Sequence, residues 1–123
     1  MKVEELVHKY QFQTVCNEDL DFFQQVALYS NAKFLISFHG AGLSNLIFMK
    51  KDSIILELHK KKTNDKDWHS LAYWYLADIL DFAYYHQLCT PNDPKEQFMY
   101  ADCEVDIPML ENNIKQMLEL RLT

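Results

Sequence analysis

Residues 34–58 read FLISFHGAGLSNLIFMKKDSIILEL and include both glycines of the chain, Gly40 and Gly42. One apolar run precedes the glycines and a second ends the stretch, and neither alternates strongly with polar residues. Runs of this kind are typical of parallel strands that helices cover on both faces. The stretch therefore predicts a βαβ unit with strands over 33–38 and 54–58, joined by a glycine loop, a short helix and a turn.

The rest of the chain alternates between helical and strand patterns. Asn17 or Asp19 is the expected cap of the second helix, and Asp106 that of the last. With 123 residues the chain suits one domain, 1–123, and we predict an α/β, Rossmann-like three-layer domain with a small, mainly parallel sheet. Helices are predicted over 3–10, 20–31, 42–49, 68–80 and from 107 to the end, and further strands over 12–15, 83–89 and 99–105.

Composition narrows the function classes. The net charge of -6 repels phosphates, so broad nucleic-acid binding is disfavoured, and any bound anion needs backbone amides or a few cations. Cys16, Cys89 and Cys103 form no CxxC pair and are expected to be buried, reduced thiols. No apolar run has the length of a transmembrane segment, and the charged N-terminus is unlike a signal peptide. The chain as given is expected to be cytoplasmic, although a longer protein could be membrane-associated or secretory.

The glycine loop stands where α/β proteins bind ligands, beyond the carboxyl end of a strand. The first turn of a helix leaves backbone N–H groups unpaired, and glycines let a phosphate approach them. We therefore expect a diphosphate at Gly40 and Gly42, with further hydrogen bonds from Ser44 and Asn45. Glycines that only shape a tight turn are an equally weighted alternative, because a Gly-x-Gly pair is a short motif.

Two ionisable residues flank this loop. Glu57 lies near the end of the second strand, where nucleotide-binding units place an acidic residue on ribose hydroxyls. A salt bridge to a lysine, or simple exposure, is an equal alternative for Glu57. His39 could donate a hydrogen bond to a phosphate or leaving group, although a lone histidine is more often structural. The other histidines show no metal-ligand spacing, so no metal site is predicted.

Residues 38–49, Phe-His-Gly-Ala-Gly-Leu-Ser-Asn-Leu-Ile-Phe-Met, and the following strand resemble the His-Gly-Ala-Gly-Leu-Ser/Thr-Asn signature of glycosyltransferase family 61. The helix before the first strand and the last strand and helix fit this family too. Two features depart from it: Ser37-Phe38 stands where relatives often have Gly-Pro, and Lys50-Lys51-Asp52 replaces a proline and glycine turn.

The resemblance implies an inverting, GT-B type enzyme of two Rossmann-like domains that works without a tightly bound metal. This chain would be the C-terminal donor-binding half, with a UDP-sugar as the expected donor. Relatives act in capsular polysaccharide synthesis in bacteria, and on proteins or cell-wall xylan in eukaryotes. The residues that would hold the diphosphate are His39, Gly40, Ala41, Gly42, Ser44 and Asn45, with Glu57 on the ribose and His39 stabilising the leaving group.

The length of the chain bears on whether it is a whole enzyme, part of one, or a non-catalytic module. A GT-B enzyme needs two domains, so we expect a fragment, or a truncated relative, that binds nucleotide. Hexosyl or pentosyl transfer to a glycan or protein acceptor would then require a missing N-terminal domain. The alternative is a non-catalytic α/β interaction module that forms homo-oligomers or docks a partner through an exposed sheet edge. A dinucleotide-dependent oxidoreductase is a weaker alternative, because Asn45 stands where the third glycine of that fingerprint would be.

Overall fold

The computed structural model describes residues 2–62, 70–92 and 103–122, which form an α/β domain around a four-stranded sheet. The helices are α1 (Val3–Lys9), α2 (Phe22–Asn31), α3 (Ala72–Ile79) and α4 (Ile107–Leu122). The strands are β1 (Phe34–Phe38), β2 (Ile54–Lys60), β3 (Ala83–Pro91) and β4 (Cys103–Glu104). Two 3₁₀ segments complete the description, Asn17–Asp19 and Ala41–Phe48, and we call the second the loop helix.

The sheet has the order β1-β2-β3-β4. The first three strands are parallel, and β4 pairs antiparallel with the end of β3. The prediction of an α/β domain with a mainly parallel sheet is confirmed, and the antiparallel fourth strand makes the sheet mixed. Since parallel strands share one orientation, the carboxyl ends of β1, β2 and β3 lie along the same edge.

Helices pack on both faces of this sheet, because side chains of β2 alternate between two hydrophobic clusters. Ile54, Leu56 and Leu58 join the first cluster, to which α1 and α4 contribute. Ile55 joins the second cluster, to which α2, the loop helix and α3 contribute. Burial of each such aliphatic side chain stabilises the fold by about 1.5–3 kcal/mol. Main partners of the first cluster are Leu6, Leu110, Ile114 and Met117, and those of the second are Tyr29, Leu43, Leu46 and Ala77.

The two strands of the predicted βαβ unit differ in burial. In β2 every residue from Ile54 to His59 is buried, as the apolar run predicts. In β1 the residues are half-buried and Phe38 is exposed, so the prediction of burial on both faces is wrong for this strand. The reason is its place at the end of the strand order, where only β2 pairs with it among the described residues. The short helix between them is the 3₁₀ loop helix rather than an α-helix.

Local chemistry explains where the helices begin. Asp21 caps α2, since its carboxylate accepts a hydrogen bond from the Gln24 backbone at 2.8 Å while the Gln24 side chain accepts one from the Asp21 backbone at 2.9 Å. This capping box corrects the predicted cap, because Asn17 and Asp19 belong to a 3₁₀ segment of their own. The cap of α4 is confirmed, with Asp106 accepting from the Met109 backbone at 3.0 Å.

Several further predictions have clear outcomes. Residues 12–15 form no strand, and Phe23 of α2 is 79% exposed. Cys89 is buried as expected and Cys103 is half-buried, whereas Cys16 is exposed. The predicted segments 68–71 and 99–102 lie partly or wholly outside the described residues. Across the described ranges, no helix combines the length and apolar character needed to cross a membrane.

Candidate functional site

The two glycines of the loop meet different surroundings. Backbone pairing continues past β1, because the His39 amide donates to the Leu58 carbonyl at 2.8 Å. Gly40 follows in an extended conformation (φ 170, ψ 168), and a Cβ added there would meet nothing within 4 Å. A Cβ added at Gly42 would lie 2.9 Å from Nδ2 of Asn17. Open space therefore adjoins Gly40, whereas a side chain at position 42 would displace the Asn17 amide.

A chain of amide side chains holds the loop helix against α2. Asn45 Nδ2 donates to Gln25 Oε1 at 2.9 Å, and Gln25 Nε2 donates to the Asn17 carbonyl at 3.0 Å. Asn17 Nδ2 in turn donates to the Tyr29 hydroxyl at 2.9 Å. Ser44, one residue before Asn45, is exposed to solvent. This network fixes the position of the loop behind the open space at Gly40.

Strand register gathers ionisable side chains at the carboxyl edge of the sheet. Glu57 is paired with Ser37 of β1 and with His86 of β3. His59 lies two residues beyond Glu57 and so shares its face of β2. His39 likewise lies two residues beyond Ser37, just past the end of β1. The face that is apolar at Ile55 thus becomes polar toward the end of the strand.

Glu57 is the buried centre of this group, with 1% of its surface exposed. Its Oε2 lies 2.5 Å from His39 Nδ1, and its Oε1 accepts a hydrogen bond from the Tyr84 hydroxyl. A buried carboxylate is costly without such partners, and here both oxygens are engaged. An ionised carboxylate only accepts, so His39 Nδ1–H is the donor. The pKa of Tyr84 is raised, first by burial and then by its hydrogen bond to Glu57.

Aromatic rings enclose the imidazole of His39. It stacks on His59 with ring centroids 4.2 Å apart and planes 6° from parallel, and Tyr73 of α3 meets it edge-on at 5.2 Å. His86 contacts the other histidine, His59, at 5.6 Å. The side chain of His39 is 28% exposed, whereas His59 is only 6% exposed. His39 therefore connects the buried carboxylate to solvent, and Nε2 is the nitrogen available to a ligand.

The cluster also has the composition of a metal site. His39, Glu57 and His59 offer one ligand atom each, all within 4.8 Å of one another. No metal site is predicted from the sequence, and His59, Tyr73 and Tyr84 carry no predicted role. The signal that could have found Glu57 and His59 is their spacing of two on a strand, which places both side chains on one face.

The predicted site residues divide into two groups. The structure brings His39, Gly40 and Glu57 together, whereas Asn45 is bonded to α2 and Gly42 packs on Asn17. The backbone of Ala41 begins the loop helix, in which Ser44 follows. Contacts of these residues with a diphosphate stay predictions. The ribose role of Glu57 also stays a prediction, and its carboxylate is buried and already bonded to His39 and Tyr84.

Comparisons with known proteins agree with the resemblance of the loop. Residues 2–56 match the family Glycosyltransferase 61. Over 51 residues the chain is 43% identical to an EGF domain-specific O-linked N-acetylglucosamine transferase of Drosophila melanogaster. The match covers 42% of this chain but only 10% of the Drosophila protein, so the chain spans about a tenth of that relative. Residues 2–56, which carry the glycine loop, are therefore similar to glycosyltransferase family 61.

Proposed function

We propose that this chain binds the donor of a glycosyltransferase, a nucleotide sugar, with its diphosphate at Gly40. The observation that carries the proposal is the open space at Gly40, which follows His39 in the chain just past the end of β1. A phosphate there would meet the backbone of the loop without displacing a side chain. In a protein of net charge -6, the attraction for an anion has to come from such local donors.

The proposed reaction is an inverting transfer. An acceptor hydroxyl attacks the anomeric carbon of the sugar, a new C–O bond forms, and the bond to the diphosphate breaks. The diphosphate leaves with the bonding electrons, and hydrogen bonds to its oxygens stabilise the charge that develops. We assign this stabilisation to His39 and the loop amides. The acceptor site, and the base that takes the hydroxyl proton, belong to a second domain in this proposal.

The topology of the sheet is consistent with this chain being one domain of a GT-B enzyme. Three parallel strands in sequence order, with helices on both faces, are what one half of a doubly wound, Rossmann-like sheet contains. The name of the Drosophila relative specifies transfer of N-acetylglucosamine, which makes UDP-N-acetylglucosamine the first donor to test. The corresponding process is polysaccharide or glycoconjugate synthesis, by hexosyl or pentosyl transfer once the second domain is present.

The experiment is a titration of this chain, followed by NMR or calorimetry, with UDP, UDP-N-acetylglucosamine, GDP, CMP and NAD. The decisive variant is Gly40→Val, whose extended backbone accepts a side chain and whose Cβ meets no protein atom. We expect Gly40→Val to keep the melting temperature and to bind the nucleotide at least about tenfold more weakly, as loss of one charge-assisted hydrogen bond predicts. Gly42→Val is the matched comparison, since its side chain would strike Asn17 and lower stability instead.

Two results would count against a donor site. If none of the nucleotides binds, the diphosphate role of the loop is rejected for this chain. If a nucleotide binds equally to wild type and Gly40→Val, the ligand lies elsewhere. Selective binding of UDP and its sugar, lost only in Gly40→Val, would establish both the site and the base of the donor.

A second candidate function is a non-catalytic module that docks a partner. Phe22 and Phe23 are exposed at the start of α2, where Phe22 also contacts Phe48 at 5.9 Å between ring centroids. On α3, Trp74 and Tyr75 are exposed and stacked on each other. Exposed aromatic groups of this kind mark interaction surfaces. Sedimentation that shows a concentration-dependent dimer, together with no nucleotide binding, would favour this second function.

A further inference from the structure

We propose that His39, Glu57 and His59 form a binding site for one divalent transition-metal ion, with Zn²⁺ as the best fit. Two imidazoles and one carboxylate are a ligand set that zinc accepts readily. The three ligand atoms already lie within 4.8 Å of one another. The site shares His39 with the proposed donor site and adds a residue, His59, that the donor-binding proposal does not need.

The backbone places these three residues with little freedom. Glu57 and His59 stand two apart on β2, which is paired on both sides, with β1 and with β3. His39 is held beside them because its amide donates to the Leu58 carbonyl at 2.8 Å. A metal site needs ligands that are preorganised on rigid elements, and paired strands supply that rigidity.

Only small side-chain movements separate the present arrangement from a tetrahedral one. Zinc–ligand bonds of about 2.0–2.1 Å place neighbouring ligand atoms roughly 3.4 Å apart. His39 Nδ1 and Glu57 Oε2 are 2.5 Å apart with a proton between them. The ion would replace that proton, and the distance between the two atoms would increase by about 1 Å. The His39 and His59 rings are stacked, and one must rotate about χ2, a torsion with a broad energy profile.

The surroundings of the three ligands suit a bound ion. Tyr84 donates to Glu57 Oε1 and leaves Oε2 for the metal, an orienting role that ligating carboxylates commonly receive. Glu57 and His59 are buried, which excludes competing water and strengthens the attraction between the ion and the carboxylate. His39 is the partly exposed member, so the fourth position faces the solvent side and is open to water or a phosphate oxygen.

The ion would add positive charge next to the glycine loop of an acidic protein. If the donor site exists as proposed, the same ion could neutralise part of the diphosphate charge. That consequence rests on the proposed function, whereas the metal site itself does not. Binding of the metal in the absence of any nucleotide is therefore the property to measure.

The test is a titration of the metal-free chain with Co²⁺, followed by visible absorption, and with Zn²⁺ in competition with a chromophoric chelator. We expect one ion per chain and the intense bands of four-coordinate Co²⁺. His59→Asn and Glu57→Gln should each weaken Zn²⁺ affinity at least about a hundredfold, and Tyr84→Phe about tenfold. His8→Gln is the matched control, because His8 is exposed on α1 and bonded to Thr14, and it should bind like wild type.

A second measurement needs no variant and guards against misfolding. In a long-range ¹H–¹⁵N spectrum of the wild type, the ring nitrogens of two of the five histidines should move on Zn²⁺ addition. Zinc binding that is no tighter in wild type than in His59→Asn, or shifts at histidines other than His39 and His59, would overturn the proposal. UDP binding without metal binding would reject only the metal site, and metal binding without UDP binding would reject only the donor site.

Discussion

Replacing Tyr84 with phenylalanine removes the hydroxyl that donates to buried Glu57. Glu57 is 1% exposed, so water cannot readily take the place of that hydroxyl. A hydrogen bond to a charged group contributes about 1.5–3 kcal/mol, and an acceptor left without it costs a similar amount. We expect Tyr84→Phe to lower the free energy of unfolding by about 2 kcal/mol. For a chain of 123 residues this corresponds to a melting temperature lower by about 8 °C.

The assay is urea unfolding followed by circular dichroism, where the midpoint should fall and the slope should stay constant. Tyr85→Phe is the matched control: Tyr85 follows on the same strand, on the opposite face, and packs against the cluster formed with α1 and α4. That control should change stability by less than about 0.5 kcal/mol. Equal losses in the two variants would refute the reasoning that the Tyr84 hydroxyl supports the buried carboxylate.

Alkaline pH supplies a second readout of the same bond. Burial, followed by the hydrogen bond to Glu57, raises the pKa of Tyr84 in the folded protein. Above about pH 10 the unfolded chain loses this proton while the folded chain keeps it, so stability falls as pH rises past that value. Tyr84→Phe should flatten the fall between about pH 9 and pH 11, and Tyr85→Phe should not. An unchanged slope in Tyr84→Phe would contradict the raised pKa.

Three further predictions concern other parts of the chain. Gly42→Ala should lower the free energy of unfolding by about 1 kcal/mol in thermal unfolding, because its Cβ meets the Asn17 amide at 2.9 Å. Gly40→Ala should leave stability unchanged or raise it slightly, and the reverse order of the two variants would contradict these roles. Thiol labelling at pH 8 should modify exposed Cys16 rapidly and buried Cys89 only after unfolding. Burial, followed by the neighbouring Cys103, raises the pKa of Cys89 to about 12, so labelling of Cys89 in the folded protein would refute this prediction. Asp106→Ala should lower the free energy of unfolding by about 1 kcal/mol through loss of the α4 cap, and an unchanged urea midpoint would show that the cap is dispensable.

The first three strands could be predicted from local sequence because apolar runs indicate β1 and β2 and an alternating pattern indicates β3. β2 and β3 appear where their sequence patterns predict them, and the Asp106-Ile107-Pro108 start of α4 is a local signal that the structure confirms. The strand predicted over residues 12–15 is wrong, because a short strand needs a partner and none of the described strands pairs there. The cap of α2 moved to Asp21 because Gln24 completes a reciprocal hydrogen bond that Asn17 and Asp19 do not form.

The candidate site was only partly predictable, because strand register rather than local spacing assembles it. His39 and Glu57 were named individually from the loop and the strand end, but their contact depends on how β1 and β2 align. Tyr84 carries no predicted role, because no spacing within β3 alone could reveal that its hydroxyl reaches a carboxylate on the neighbouring strand. Register of this kind becomes visible only when three strands are considered together.

Stability alone does not explain why β2 carries Glu57 and His59. Six consecutive residues of this strand are buried, and apolar side chains would fill such positions without the cost of desolvating a charge. In this chain the Tyr84 hydroxyl and the His39 imidazole instead both bond to one buried carboxylate, that of Glu57. Polar groups that conflict with a local apolar pattern are expected at functional sites, where chemistry outweighs the loss of stability. The polar end of this sheet face, next to Gly40, is therefore where we place the function of the domain.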